Sequence, residues 1–346
     1  MEYSHGQNIK RENIGAVFSA IADSGKTSRA AIAAHTGLSL MTVGKIADAL
    51  VDAGVLCQAK NGEVTPGRKA RILACAPEHR LLLLDLTAKD FRLTVLDLSF
   101  NVCHDARHAY DGGMLCEENL IFFLRNAVVG YLASHAAAHL IGMAVLLPGA
   151  YDAAGDSICG SRIPELSPLR PGALLQELFP ALSPIMLEDT RAAAISALAE
   201  LPRESADSCL WLSLDRPVSG AFMVNGRLFT GSHGESGCFG EITVGTNFTL
   251  DQALAGLREP DELASALSAA LHTVIALFDP AQIILESSAP WANEVLAERL
   301  TAHLEQKNAH RHRSLPPIAV TQKQMGRAMR GAALHLRNTW LDSAIH

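Results

Sequence analysis

SRAAIAAHTGLSLMTVGKIADALVDA, residues 28–53, holds two short helices and the turn that joins them. Ser28 is a helix cap, and the helix it opens, Arg29 to His35, turns Ala30, Ile32 and Ala33 inward. Thr36-Gly37-Leu38 is a three-residue turn containing glycine, and Ser39 is a second cap. The helix that follows, Leu40 to Ala53, presents Val43, Ile46, Ala47 and Leu50 to a core before Gly54 ends it. Upstream, Arg11 to Ser24 carries Ile14, Val17, Phe18 and Ile21 at helical spacing, closed by Gly25. Downstream, Val55 to Gln58 reads as a strand, Asn61-Gly62 as a tight hairpin turn and Ala70 to Cys75 as the return strand. Three helices followed by a hairpin wing predict a winged helix-turn-helix over residues 1–75.

Such a unit places the N-terminal end of its second short helix in the major groove. There Ser39, Leu40, Met41, Thr42 and Lys45 lie on or near the face turned from the core. Thr42 is suited to a base edge or a phosphate, Leu40 and Met41 to thymine methyls, and Lys45 to a phosphate or guanine. Ser28 and Arg29 complete the expected set on the helix side. In the wing, Thr65-Pro66-Gly67-Arg68-Lys69 is a cationic loop in which Arg68 and Lys69 suit phosphates or a narrow minor groove. The competing reading is a small three-helix unit that docks on protein instead.

Charge is divided in the same sense. Residues 1–75 hold nine Lys/Arg against six Asp/Glu, a net of +3, whereas the remainder carries a net of −10 within a total of −7. A mildly basic head on an acidic body is the asymmetry expected when the head alone meets phosphates. The seven cysteines are odd in number and scattered, and none forms a Cys-x-x-Cys pair. That argues against a disulfide framework or a compact cysteine zinc site and suits a reducing compartment. With no signal-peptide pattern at the start and no apolar run of about 18 residues, the expectation is a cytoplasmic protein without a membrane partner.

Beyond residue 76 the pattern becomes α/β. LLLLDLTAKDFRLTVLDLSFNV (81–102) contains strands at 81–86 and 91–98. Helices are predicted at 117–138 and 192–200, and strands at 140–147, 209–214 and 219–224, the last ending in an Asn225-Gly226 turn. Amphipathic helices at 261–277 and 291–306 flank a strand at 282–285. Alternation of this kind predicts two α/β lobes with a cleft between them.

Several pieces in register resemble the ROK family of repressors, open reading frames and sugar kinases. The 81–102 stretch is similar to its first phosphate strand-turn-strand, LPGAYDAAGDSICGSRIPEL (147–166) to its sugar-side loop, and MLEDTRAAAISALAE (186–200) to the segment with the kinase base. SLDRPVSGAFMVNGRLFTGSHGESGCFGEITVG (213–245) resembles its glycine-rich signature, and DPAQIILESSAP (279–290) the loop beside adenosine. The resemblance covers nearly the whole chain. It implies an α/β fold in which a winged helix-turn-helix is followed, over residues 76–346, by a two-lobed actin-like (ribonuclease H-like) ROK domain for effector sensing and oligomerisation.

Departures from that pattern decide the expected function. The family's Gly-Gly-Thr phosphate turn is replaced by Thr87-Ala88-Lys89 after Asp85-Leu86. Its second phosphate loop is replaced by Asp215-Arg216-Pro217, where proline removes a backbone donor and Asp215 repels phosphate. Its triple-glycine adenosine loop becomes Glu286-Ser287-Ser288. Glu241 stands at the zinc histidine, Cys238 at a sugar-binding glutamate, and His233 lacks partners at zinc spacing. The expectation is therefore a non-enzyme, with no cofactor and no metal.

The sugar side is partly kept. Asp189 matches the kinase base, Glu188 replaces the asparagine before it, and Arg162 and Arg191 stand at two further ligand-contacting asparagines. Arginines suit bidentate capture of carboxylate or phosphate. Arg162, Glu188, Asp189, Arg191, Cys238 and Glu241 are thus the candidate effector residues, for a sugar or an anionic sugar derivative. An equal alternative is that the arginines pair with Glu188, Asp189 or Glu165.

The function expected is a repressor-type regulator of carbohydrate-related genes, a homodimer or homotetramer on a palindromic operator in double-stranded DNA. A residual sugar kinase and a regulator controlled by protein docking are the alternatives.

Overall fold

The computed structural model describes residues 5–59, 72–88, 90–109, 117–202, 207–215, 217–224, 227–232, 236–245, 247–309 and 314–345. The chain divides into two compact units. The first comprises Met1–Val145, Gly172–Met186 and Ala333–His346, and the second Leu146–Pro171 and Leu187–Ala332.

The first unit opens with α1 (His5–Ser24), β1 (Thr27–Ser28), α2 (Arg29–Thr36), α3 (Leu40–Asp52), β2 (Leu56–Ala59) and β3 (Ile72–Cys75). α1 starts six residues before the apolar periodicity does, because HGQNIK offers no apolar residue until Ile9 to mark a helix. Both predicted caps are made: Ser28 Oγ accepts from the Ala31 N–H at 3.2 Å and Ser39 Oγ from the Thr42 N–H at 3.1 Å. Gly37 takes φ 70° and donates its N–H to Ala33 O, a left-handed closure that a β-carbon disfavours. Val17, Phe18, Ile21, Val43 and Leu50 are fully buried, and Ile32 nearly so. Ala30, placed inward by its spacing, is exposed instead. α2 is only eight residues long, so it touches its neighbours along a narrow line and buries Ile32 alone. The strands pair in the order β1–β3–β2, with Cys57 opposite Ala74. The predicted Asn61-Gly62 turn and the loop with Arg68 and Lys69 lie outside the described residues.

The rest of this unit is built on a five-stranded sheet, ordered β10–β7–β4–β5–β6. Its strands are β4 (His79–Asp85), β5 (Asp90–Leu96), β6 (Val102–Ala109), β7 (His139–Leu147) and β10 (Pro184–Glu188), accompanied by α4 (Glu117–Ser134) and α5 (Pro171–Leu178). Leu81 to Leu84 are all fully buried, so both faces of β4 are covered. β6, which the periodicity misses, is an edge strand of sequence VCHDARHA, and the polar side chains natural to an edge hide its strand pattern.

The second unit starts with the hairpin β8 (Ala150–Asp152) and β9 (Ser157–Cys159), followed by α6 (Asp189–Leu198). Its sheet runs β13–β12–β11–β16–β17. The members are β11 (Cys209–Ser213), β12 (Ser219–Val224), β13 (Arg227–Phe229), β16 (Gln282–Ser287) and β17 (Ile318–Gln322). β11, β16 and β17 are parallel, and β12 and β13 run antiparallel. A small ladder of β14 (Thr243–Val244) and β15 (Phe248–Thr249) leads into α7 (Leu250–Leu254), α8 (Pro260–Phe278) and α9 (Glu294–Asn308). α8 is long and apolar enough to cross a bilayer, yet Leu263, Leu267 and Leu271 are buried in the core with Leu210, Ile283 and Leu300. The chain ends in α10 (Arg327–Ala344), whose residues from Ala333 onward belong to the first unit.

Candidate nucleic-acid interface and effector site

α3 offers the N-terminal surface that a recognition helix needs. Leu40 and Met41 are 58% and 72% exposed, although both are apolar. Lys45 is exposed one turn further on. An exposed apolar pair beside a cation on a capped helix end matches a groove that mixes methyl groups with phosphates. The Thr42 hydroxyl, half-buried, lies 2.8 Å from Ser39 Oγ, so the cap and the candidate base-reading hydroxyl form one hydrogen-bonded pair. Arg29 is bound by Asp48 of α3, which holds α2 against α3 and turns part of its charge inward. Ser28 spends its hydroxyl on its own cap.

In the second unit, four of the six candidate effector residues come together around the start of α6. Arg162 Nη2 lies 2.5 Å from Asp189 Oδ2. Arg191 Nε is 3.6 Å from Glu188 Oε2, and its Nη2 donates to Ser236 O at 2.6 Å. Both arginines thus have carboxylate partners within the chain, Arg162 in Asp189 and Arg191 in Glu188. Arg191 is only 7% exposed, and burial raises the Glu188 carboxyl above its ordinary range, opposed by the Arg191 charge. The Arg191–Ser236 bond ties α6 to the loop that leads into Cys238. Cys238 and Glu241 are both exposed, at the approach to and the end of the one-turn helix Phe239–Glu241. Thr190 Oγ1 and Ser219 Oγ, 2.9 Å apart, join the same corner to β12, a pair that sequence reading missed because 29 residues separate them.

The loops that depart from the kinase pattern have their own internal partners. In the first unit, Asp85 Oδ1 accepts from the Thr87 N–H at 2.9 Å and from the Thr87 hydroxyl at 2.6 Å. In the second, Asp215 Oδ1 accepts from Ser287 Oγ, the Ser288 N–H and Ser288 Oγ at 2.9, 2.9 and 3.0 Å, while Lys323 Nζ lies 3.1 Å from Oδ2. Burial raises the Asp215 carboxyl, but the Ser288, Ser287 and Lys323 contacts outweigh it and hold the group below its ordinary range. Asp215 thus does more than repel an anion: its carboxylate occupies donors of the loop at 287–288. Beside it, Glu286 is 2% exposed and stands 3.1 Å from Arg327 Nε, an ionic contact too bent to be a hydrogen bond. Arg216 and His233 lie outside the described residues, and among the described residues no three His, Cys, Asp or Glu side chains are grouped to hold a metal ion.

No family model matches the chain. In sequence it is 26% identical over 241 residues to the DNA-binding transcriptional dual regulator NagC of Escherichia coli K12, and equally to the N-acetylglucosamine repressor of Shigella flexneri. Those matches take in 68% of this chain, which spans 58% of the length of the relatives. In fold it is similar to a ROK family transcriptional regulator, itself a homologue of the E. coli MLC protein, with a TM-score of 0.69 and 19% identity over 97% of this chain and 99% of the other. It is also similar to the ROK hexokinase of Thermus thermophilus, with a TM-score of 0.58 and 18% identity over 74% of this chain and 97% of the other. The chain is thus similar in sequence to NagC, and it shares its fold with ROK regulators and ROK kinases.

Proposed function

We propose that the chain is a DNA-binding transcriptional regulator, of repressor type, that acts in the cytoplasm on carbohydrate-related genes. The observation that carries this reading is the surface of α3, where Leu40, Met41 and Lys45 are presented at a helix end capped by Ser39 within a three-helix unit flanked by β-strands. The regulator names of the sequence relatives support it. Two copies on a palindrome, as a homodimer or homotetramer, double the contacts of a small head. Genome-wide mapping of bound DNA tests the proposal: enrichment of a recurring palindrome beside sugar-related genes is expected, and no enrichment above control overturns it.

The body in this proposal senses an effector at Arg162, Glu188, Asp189 and Arg191, with Cys238 and Glu241 at its margin. An anionic ligand is favoured here because the Arg162 guanidinium, which already holds a carboxylate in Asp189, has the planar donor set that captures a carboxylate or phosphate. Calorimetry against neutral sugars, sugar phosphates and sugar acids tests this, and a neutral sugar binding best contradicts it. Phosphoryl transfer is disfavoured because Asp189, the residue matching the kinase base, is engaged by Arg162, and because Asp215 takes the Ser288 donor. An ATP-coupled assay against a hexose panel tests that part. Turnover abolished by Asp189→Asn restores the enzyme.

A further inference from the structure

Arg337 of α10 is 2% exposed, an unusual place for a guanidinium. Its Nη1 donates to Leu98 O at 2.9 Å. Its Cζ lies 4.1 Å from the centroid of the Phe100 ring and 5.1 Å from that of Phe18. Three segments remote in sequence therefore meet on one side chain: helix α1 of the head, the turn between β5 and β6, and the C-terminal helix, all within the first unit.

The turn is shaped for this contact. Phe100 has φ 65°, in the left-handed region that a bulky aromatic residue avoids. Asp97 holds it there: its Oδ1 accepts from the N–H groups of Ser99 and Asn101 at 2.8 and 2.9 Å, and its Oδ2 from Asn101 Nδ2 at 2.9 Å. The Phe100 N–H donates to Asp97 O at 3.0 Å. A strained backbone that delivers a ring onto a buried cation is a contact the surrounding structure is built to keep.

One turn further along α10, the ring of Trp340 lies 4.9 Å from that of His79, and His79 Nε2 is 3.0 Å from the carbonyl of Gly54, the residue that ends the α3 region. α10 thus reaches the head at two points, α1 through Arg337 and the exit of α3 through Trp340 and His79. On the same helix, Leu336 packs closely on Gly142 of β7, where a β-carbon would come within 2.8 Å of Leu336 Cδ1.

We infer that Arg337, gripped by Phe18 and Phe100, is the positioning residue that sets the direction of the head, and with it of α3, on the five-stranded-sheet part of the first unit. The inference rests on the DNA-binding reading, because direction matters when two heads must meet half-sites at a fixed spacing. Arg337 touches no DNA in this account. It therefore governs how affinity depends on half-site spacing, not how tightly one head holds one half-site.

The test uses full-length wild type, Arg337→Met and Phe100→Gly, the second chosen because glycine suits the backbone at that position. Each is titrated against the duplex selected by the wild type from a randomised pool, with the spacer between half-sites varied, and against a single half-site. Wild-type affinity should fall about tenfold for spacers a few base pairs from the preferred one, because spacing follows protein geometry. In both variants that fall should shrink to about threefold or less, with single half-site affinity unchanged. A wild-type spacing profile in Phe100→Gly overturns the inference, whether or not Arg337→Met folds. If the wild type selects no duplex, the DNA reading fails, and hydrogen exchange on the same proteins then decides the clamp separately. Faster exchange confined to α1 and the end of α3, with β4 and β5 unchanged, supports it. No change, or loosening throughout, overturns it.

Discussion

Helix α3 and the corner around α6 treat their charges and exposed groups in opposite ways. At α3, Leu40, Met41 and Lys45 face outward. Around α6, Arg162 is matched by Asp189, and Arg191 by Glu188 and Ser236 O. The loops at 215 and 287–288 continue the second pattern, with Asp215 on Ser287, Ser288 and Lys323. A surface meant for a large, always-charged polymer loses little by staying open, since water and counterions cover it until the polymer arrives. Charge held largely out of water has no such cover, and its groups must be paired within the chain or by a ligand. Under the proposed function, the contrast gives constitutive binding chemistry to the head and conditional chemistry to the body.

That contrast is broken most sharply by removing one partner of a buried pair. Glu188→Ala leaves Arg191 with Ser236 O alone and should cost about 3 kcal/mol of stability, read as a lower urea midpoint; an unchanged midpoint would mean the corner is wet. Ser39→Ala removes the α3 cap and should cost about 1 kcal/mol, visible as faster hydrogen exchange in the first turn of α3. Asp215 gives a pH signature. Its folded carboxyl titrates below its ordinary value, so its stabilisation is fully present above about pH 3.9 and is lost as the pH falls through the lower folded value. The melting gap between wild type and Asp215→Asn should accordingly narrow as the pH is lowered from about 6 into the range below about 3.9, and a constant gap would detach Asp215 from its network. The smallest effect is expected at Lys45→Ala, with stability unchanged within about 0.5 kcal/mol.

Local signals made the head legible. Ser28, Ser39, Gly37 and Gly54 act over three or four residues, and each stands where its chemistry predicts. The core strand β4 was equally plain, because four consecutive leucines leave few alternatives. What escaped was set by tertiary context. β6 is polar because it is an edge, and β17 and α10 lie beyond residue 290, where the last of the quoted motifs ends. The candidate effector residues were named from motif positions, but whether Arg162 faces a ligand or Asp189 depends on a contact across 27 residues. Asp215 shows in the sequence only as a departure from a phosphate loop, and its partners Ser288 and Lys323, 73 and 108 residues away, carry no local signal. Arg337 carried no motif at all, and only its burial between Phe18 and Phe100 draws attention to it.

The central claim is that the head binds duplex DNA through α3, and salt dependence tests it most directly. Full-length wild type and Lys45→Ala are titrated by fluorescence anisotropy against the selected duplex over a series of salt concentrations. For the wild type, log affinity should fall linearly with log salt, at about 0.9 per phosphate contact. For Lys45→Ala the slope should be shallower by about 1, with affinity reduced at every sequence alike. A slope of zero in the wild type, or identical slopes in the two proteins, would contradict the claim that this face of α3 meets the phosphates.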